Sequence, residues 1–150
     1  MPYLLEARSG PDNLWARFEE PDGFGLEAYD LVADGDVERL GGVPRFVRSN
    51  SGRVGDLVWT TGSAKIASPR FVDVLESIGA TGYRTFPVDV RGRRGDVIIP
   101  GFVGLAVLDD DQDKDLRFSN GVQFWSFLAS DRVVDALRAA DVTGFRIKPA

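Results

Sequence analysis

The densest group of chemically capable side chains is the run Asp109-Asp110-Asp111-Gln112-Asp113-Lys114-Asp115. Carboxylates at alternate positions suit an oxygen-ligated divalent cation, and Asp109, Asp111 and Asp113 match positions one, three and five of a calcium loop. Position six, where such a loop turns on a glycine, is Lys114, and position twelve, where it places a bidentate glutamate, is Asn120. The run therefore reads as a solvated acidic loop rather than a metal site. Arg91, Arg93 and Arg94 could hold an anion, but a tight basic turn kept in water by its charge explains them more simply. Arg70 with Asp73, and Arg132 with Asp135, are three apart on helix faces and can pair locally for a few tenths of a kcal/mol.

Several chemistries lack their residues. With no cysteine there is neither disulfide nor thiolate metal site. With no histidine the usual general base, metal ligand and pH switch are missing. Serines are present, but Lys65, Lys114 and Lys148 fall in no recognisable Ser–Lys arrangement. There is no P-loop and no dinucleotide fingerprint. Neither an enzymatic activity nor a cofactor is indicated. Trp15, Trp59 and Trp125, with Phe124 and Phe127, are expected in the core, or as interface anchors where they lie exposed beside acidic residues.

The elements that must position these residues centre on a stretch that occurs twice. Residues 67–87 (ASPRFVDVLESIGATGYRTFP) and 129–149 (ASDRVVDALRAADVTGFRIKP) align without a gap and are identical at ten of 21 positions. Unrelated segments would match at roughly one or two. Ser68 and Ser130 are N-cap residues, Pro69 suits the first helical position, and Asp131 complements the helix N-terminus. Phe71, Val72, Val74, Leu75 and Ile78 repeat at helical spacing, as do Val133, Val134, Ala136, Leu137 and Ala140. Gly79 is a natural residue to follow the first helix, and Asp141 takes that place less comfortably. Thr81-Gly82-Tyr83-Arg84 and Thr143-Gly144-Phe145-Arg146 re-enter as strands, each glycine marking a bend or a close backbone approach.

Elsewhere, residues 3–7, 14–18, 56–60, 86–90, 97–99, 102–108, 116–118 and 122–128 read as strands. Residues 24–32 read as extended, Asp34-Gly35 as a hairpin dipeptide, 9–12 as a turn, 45–56 as a linker and 86–99 as a hairpin. The expected fold is α+β: a mostly antiparallel sheet with two short helices from an internally duplicated helix-turn-strand unit, the halves related by a pseudo-twofold. A chain of 150 residues fits one domain, with an acidic β-rich part at 1–56 and the repeated part at 57–150.

The net charge of −5 resides entirely in residues 1–60, while 61–150 are neutral. That argues against nucleic-acid binding, which needs a basic footprint. No signal peptide or membrane span is indicated, so a cytoplasmic location is expected.

Ser68-Pro69-Arg70-Phe71, Leu75, Gly79-Ala80-Thr81-Gly82-Tyr83 and Phe86-Pro87-Val88 together resemble a group of bacterial immunity proteins of polymorphic-toxin systems, the eleventh of the catalogued immunity-domain families. Ser130-Asp131-Arg132 through Leu137 to Thr143-Gly144-Phe145 extends the resemblance, which covers residues 57–150. The resemblance implies a small protein that neutralises a cognate toxin by binding it, and it carries over no contact residues. The charge distribution suggests a basic toxin and, as the surface it would meet, Glu19, Glu20, Asp22, Asp34, Asp36 and Glu38, with Asp109, Asp110, Asp111 and Asp113 second. A homodimeric interaction module and a small ligand- or ion-binding domain are the alternatives.

Overall fold

A computed structural model describes residues 2–8, 13–96, 99–118 and 125–150. In chain order the elements are β1 (Tyr3–Glu6), β2 (Trp15–Glu19), α1 (Glu27–Ala33), α2 (Val37–Leu40), β3 (Arg45–Arg48), β4 (Leu57–Thr60), β5 (Lys65–Ala67) and α3 (Pro69–Ser77). They continue with β6 (Tyr83–Pro87), β7 (Asp89–Arg91), β8 (Val103–Val107), β9 (Leu116–Arg117), β10 (Ser126–Ala129), α4 (Asp131–Ala139) and β11 (Arg146–Pro149). The fold is α+β, with a seven-stranded sheet in the order β6-β8-β5-β4-β2-β3-β7 and a four-stranded sheet in the order β11-β1-β10-β9. Among the described residues all pairings between these strands are antiparallel except β2 with β4 and β3 with β7.

The repeated stretches occupy corresponding places. Leu57 of β4 pairs with Ala67 of β5, and Leu116 of β9 with Ala129 of β10. Ala67 and Pro87 both register with Val103 of β8, while Ala129 and Pro149 both register with Tyr3 of β1. The strand next to the first copy thus follows it in sequence. In the second copy the same place is filled from the chain's beginning by β1.

Side-chain alternation along the strands divides the interior in two. Leu57, Trp59, Ala67, Leu105 and Val107 face Leu5, Leu116, Phe127, α3 and α4, with Phe71 edge-on to Phe145 at 5.9 Å between ring centroids. Val58, Ile66 and Ala106 face the other way and, with Phe18, Phe46, Phe86 and Val90, bury Ala28, Leu31 and Val32 of α1 and Leu40 of α2.

Helices α1 and α2 correct the expected count of two helices and the extended reading of residues 24–32. Leu26, the residue before α1, offers no capping side chain, so the usual sequence signal is absent. It folds because Ala28, Leu31 and Val32, at helical spacing, all reach the core. Asp34-Gly35 is the turn between the helices rather than a hairpin, Gly35 supplying the left-handed φ of 72° that either turn can use. Residues 45–48 of the expected linker are β3, whose Phe46 is fully buried. The expected strand 86–90 is interrupted between Pro87 and Asp89, and β7 pairs with β3 in parallel. The expected turn at 9–12, part of the hairpin arm at 97–99, the start of the strand at 122–128, and Phe124 lie outside the described residues.

Candidate functional site

The serine caps form as expected: Ser68 Oγ accepts from the Phe71 N–H at 3.0 Å, and Ser130 Oγ from the Val133 N–H at 3.5 Å. Each hydroxyl also donates at 2.7 Å to a carboxylate that precedes its helix, Ser68 to Asp56 and Ser130 to Asp115. Arg70 and Arg132 join these carboxylates, with Nη2 at 2.5 Å from Asp56 and 2.6 Å from Asp115. Their expected helix-face partners, Asp73 and Asp135, make neither ion pair. A fork-shaped guanidinium binds a carboxylate through two parallel N–H groups, which a neighbour on one helix turn cannot match.

Each carboxylate then crosses to the other copy. Asp56 accepts from the Thr143 N–H at 2.9 Å, and Asp115 from the Thr81 N–H at 2.9 Å. The arginines cross as well: Arg70 donates to the Asp141 carbonyl, and Arg132 to the carbonyls of Ile78 and Gly79. Asp115 is buried, so it corrects the expectation that the whole run 109–115 faces solvent. Arg132, with Ser130 and Thr81, holds its carboxyl well below the usual carboxylate range against the opposing effect of burial. For Asp56, burial pushes upward, but Arg70, Ser68 and Thr143 together outweigh it and the net shift is down. All the donors come from the chain itself, so these two clasps tie the two copies together, with both carboxylates covered and both arginines half exposed.

Asp109 to Asp113 are exposed. Asp109 accepts from the Asp111 N–H and Asp111 from the Asp113 N–H, both at 2.9 Å, so the carboxylates are used in successive turns. Among the described residues no group of three or more Asp or Glu is placed to hold a metal ion.

The N-terminal acidic residues form two sets. Glu19, Glu20 and Asp22 line one groove of about 440 Å³ with Leu40, Val43 and Pro44. The carboxylate of Glu20 raises the pKa of the Tyr29 hydroxyl. Asp34 and Asp36 lie instead on the α1–α2 connection, and Glu38 in the first turn of α2. There Asp36 caps α2 by accepting from the Arg39 N–H at 3.2 Å, and Arg84 donates to the Asp34 carbonyl. The loop 109–113 belongs to a third place, the β8–β9 connection, with Gln112 beside Ser130 and Arg132.

A basic surface adjoins the acidic groove. Across β2, β3 and β7, Arg17, Val47 and Arg91 register in one row, and Glu19, Arg45 and Asp89 in the next. Their neighbours Phe18, Phe46 and Val90 point into the second core, so both rows lie on the opposite face of the sheet. All of these but Asp89 line, with Arg48 and Arg93, a groove of about 480 Å³. Arg91 is held by Asp89 at 2.8 Å, and Arg45 approaches Asp89 at 3.5 Å. The expected basic turn at 91–96 is thus one edge of a larger arginine face that is not legible in the sequence, because its other members lie 45 to 76 positions before Arg93 in the acidic part of the chain. A third concavity, of about 760 Å³, is lined by Arg8, Arg53 and Arg146 with Asn13, Gly55 and Thr143.

Trp59 is buried and its Nε1 donates to the Gly144 carbonyl at 2.8 Å. Trp125 is half exposed and edge-on to Trp15, with centroids 5.6 Å apart. Lys65, which falls in no Ser–Lys arrangement, is buried between Trp59 and Phe127, donates to the Ser63 carbonyl at 2.9 Å, and burial brings its pKa down to about 7. No protein-family model matches the chain, and no curated protein matches it significantly.

Proposed function

We propose that the protein neutralises a cognate toxin by binding it directly, as the resemblance to immunity proteins implies, with the acidic groove of Glu19, Glu20 and Asp22 as its docking surface. One observation carries the choice of surface. Val43, 55% exposed, lines the same groove, and Leu26, 82% exposed, follows Asp22 at the entrance to α1. Apolar side chains in water beside a charged rim have the anatomy of a protein interface, in which apolar anchors supply affinity and the rim supplies orientation and speed. The matching partner is a basic protein, met in the cytoplasm, with neither nucleic acid nor membrane required. Among the described residues no helix is long and apolar enough to cross a membrane.

The test is co-expression with the toxin-like product of the adjacent gene, scored by growth and by co-purification. Rescue with a stable one-to-one complex supports the reading, and no rescue with no complex overturns it. Reversing Glu20 and Asp22 to lysine should slow association about tenfold at low salt and leave less effect at high salt. Reversing Asp110 and Asp113 should change it little.

A second reading rests on Arg8, Arg53 and Arg146, which line the largest of these concavities and suit a small anion, although Arg146 is also paired with Glu6. Phosphate would then raise the melting temperature in proportion to the logarithm of its concentration above Kd.

A further inference from the structure

The acidic groove and the arginine face share a boundary, since Glu19 and Arg45 line both. On one side of it stand Glu20 and Asp22, and on the other Arg17, Arg91 and Arg93. A two-fold rotation about an axis through such a boundary places each charge on its opposite, so the combined surface is complementary to itself, as an isologous dimer interface must be. We propose that a second copy of this chain binds here, the arginine face of each protomer seated on the acidic groove of the other. The proposal goes beyond toxin neutralisation and does not rest on it.

Three features support this occupant. Arg17 and Arg93 are exposed and their side chains make no hydrogen bond or ion pair among the described residues, although acceptors are plentiful in a chain of net charge −5. The basic groove is lined by no aromatic side chain on which a nucleobase could stack, which disfavours a single-stranded nucleic acid as its occupant. Finally, β7 ends the seven-stranded sheet with three residues, two of them charged, an edge protected against strand addition. Association is therefore through the side chains of the sheet face, and it is governed by salt.

Sedimentation equilibrium of the full chain tests the proposal without any toxin. A monomer–dimer equilibrium in the micromolar range is expected at 20 mM salt, weakened at least tenfold at 500 mM. Arg17→Glu with Arg93→Glu makes one variant, and Glu20→Arg with Asp22→Arg the other. Each alone should lose at least tenfold in self-association while melting cooperatively, and an equimolar mixture should recover the dimer as a heterodimer. A wild-type chain that stays monomeric at 100 µM in low salt overturns the proposal. So does a dimer that neither pair of reversals weakens, or a mixture that fails to reassociate. If toxin binding fails while the charge-swapped mixture dimerises, only the toxin reading falls.

Discussion

Asp56 and Asp115 join structure across the molecule, and their effect is measurable through protons. Replacing Asp115 with alanine removes the acceptor for the Thr81 N–H and the Ser130 hydroxyl and should cost about 2–4 kcal/mol in urea unfolding, with Asp56→Ala similar. Both carboxyls lie below their ordinary value when folded. Their contribution is therefore complete above about pH 5 and drains away as pH falls through the lowered folded-state values. Asp115→Asn should match the wild type ever more closely on acidification below about pH 3, and a constant difference from pH 2 to 7 would refute the linkage. Lys65 has the opposite sign. Its folded pKa of about 7 lies below the ordinary 10.5, so the unfolded chain binds the extra proton between them and stability rises with pH across that interval. Lys65→Met should flatten the slope of stability between pH 7 and 10, whatever its effect on absolute stability.

At the scale of elements, the two helix-turn-strand units differ in how their turns close. Gly79 follows α3 with a φ of 64°, and the matching Asp141 follows α4 with a φ of 52°, the only non-glycine of the described residues in that region. Asp141→Gly should relieve about 1 kcal/mol and raise the melting temperature by about 2–4 °C. Gly82 and Gly144 are more demanding, because a Cβ there would stand 2.1 Å from the Leu116 carbonyl oxygen and 2.3 Å from that of Leu57. Backbone cannot yield as a side chain can. Gly82→Ala should cost more than about 3 kcal/mol by thermal melting, while Gly79→Ala, with open space around it, should cost about 1 kcal/mol. The sequence made these positions legible as turns and close approaches because caps and left-handed residues act within a few positions. It did not disclose α1, which Leu26 precedes without a capping side chain and whose formation depends on a core built from distant strands.

At the scale of the molecule, β1 lies between β10 and β11 and completes the four-stranded sheet that covers the first core. Deleting residues 2–8 should leave the second copy without its central strand and abolish the cooperative transition seen by near-ultraviolet circular dichroism. Retention of that transition would show that the sheet closes without β1. The distribution of charge also emerges only here. Of the acidic residues concentrated at the start of the sequence, Glu19, Glu20 and Asp22 line one groove, Asp34, Asp36 and Glu38 lie along the α1–α2 connection and α2, and Asp56 is held between the two copies. The arginines of β2 and β3, embedded in that same acidic part, join Arg91 and Arg93 of a later segment on a separate face.

The sequence by itself determined the α+β class, the two serine-capped helices, the bends at Gly82 and Gly144, and the lack of thiol and imidazole chemistry. Each follows from composition or from spacing within one or two turns of chain. Only the tertiary structure decided where Arg70 and Arg132 pair, because their carboxylates lie 14 and 17 residues upstream, at unequal distances that no helical period connects. It alone decided that β1 serves the C-terminal copy, that Lys65 is buried, and that an arginine face adjoins the acidic groove. The reason is common to all four. Strand order and side-chain alternation bring together residues that sequence separates, and those contacts are chosen by what the cores must bury.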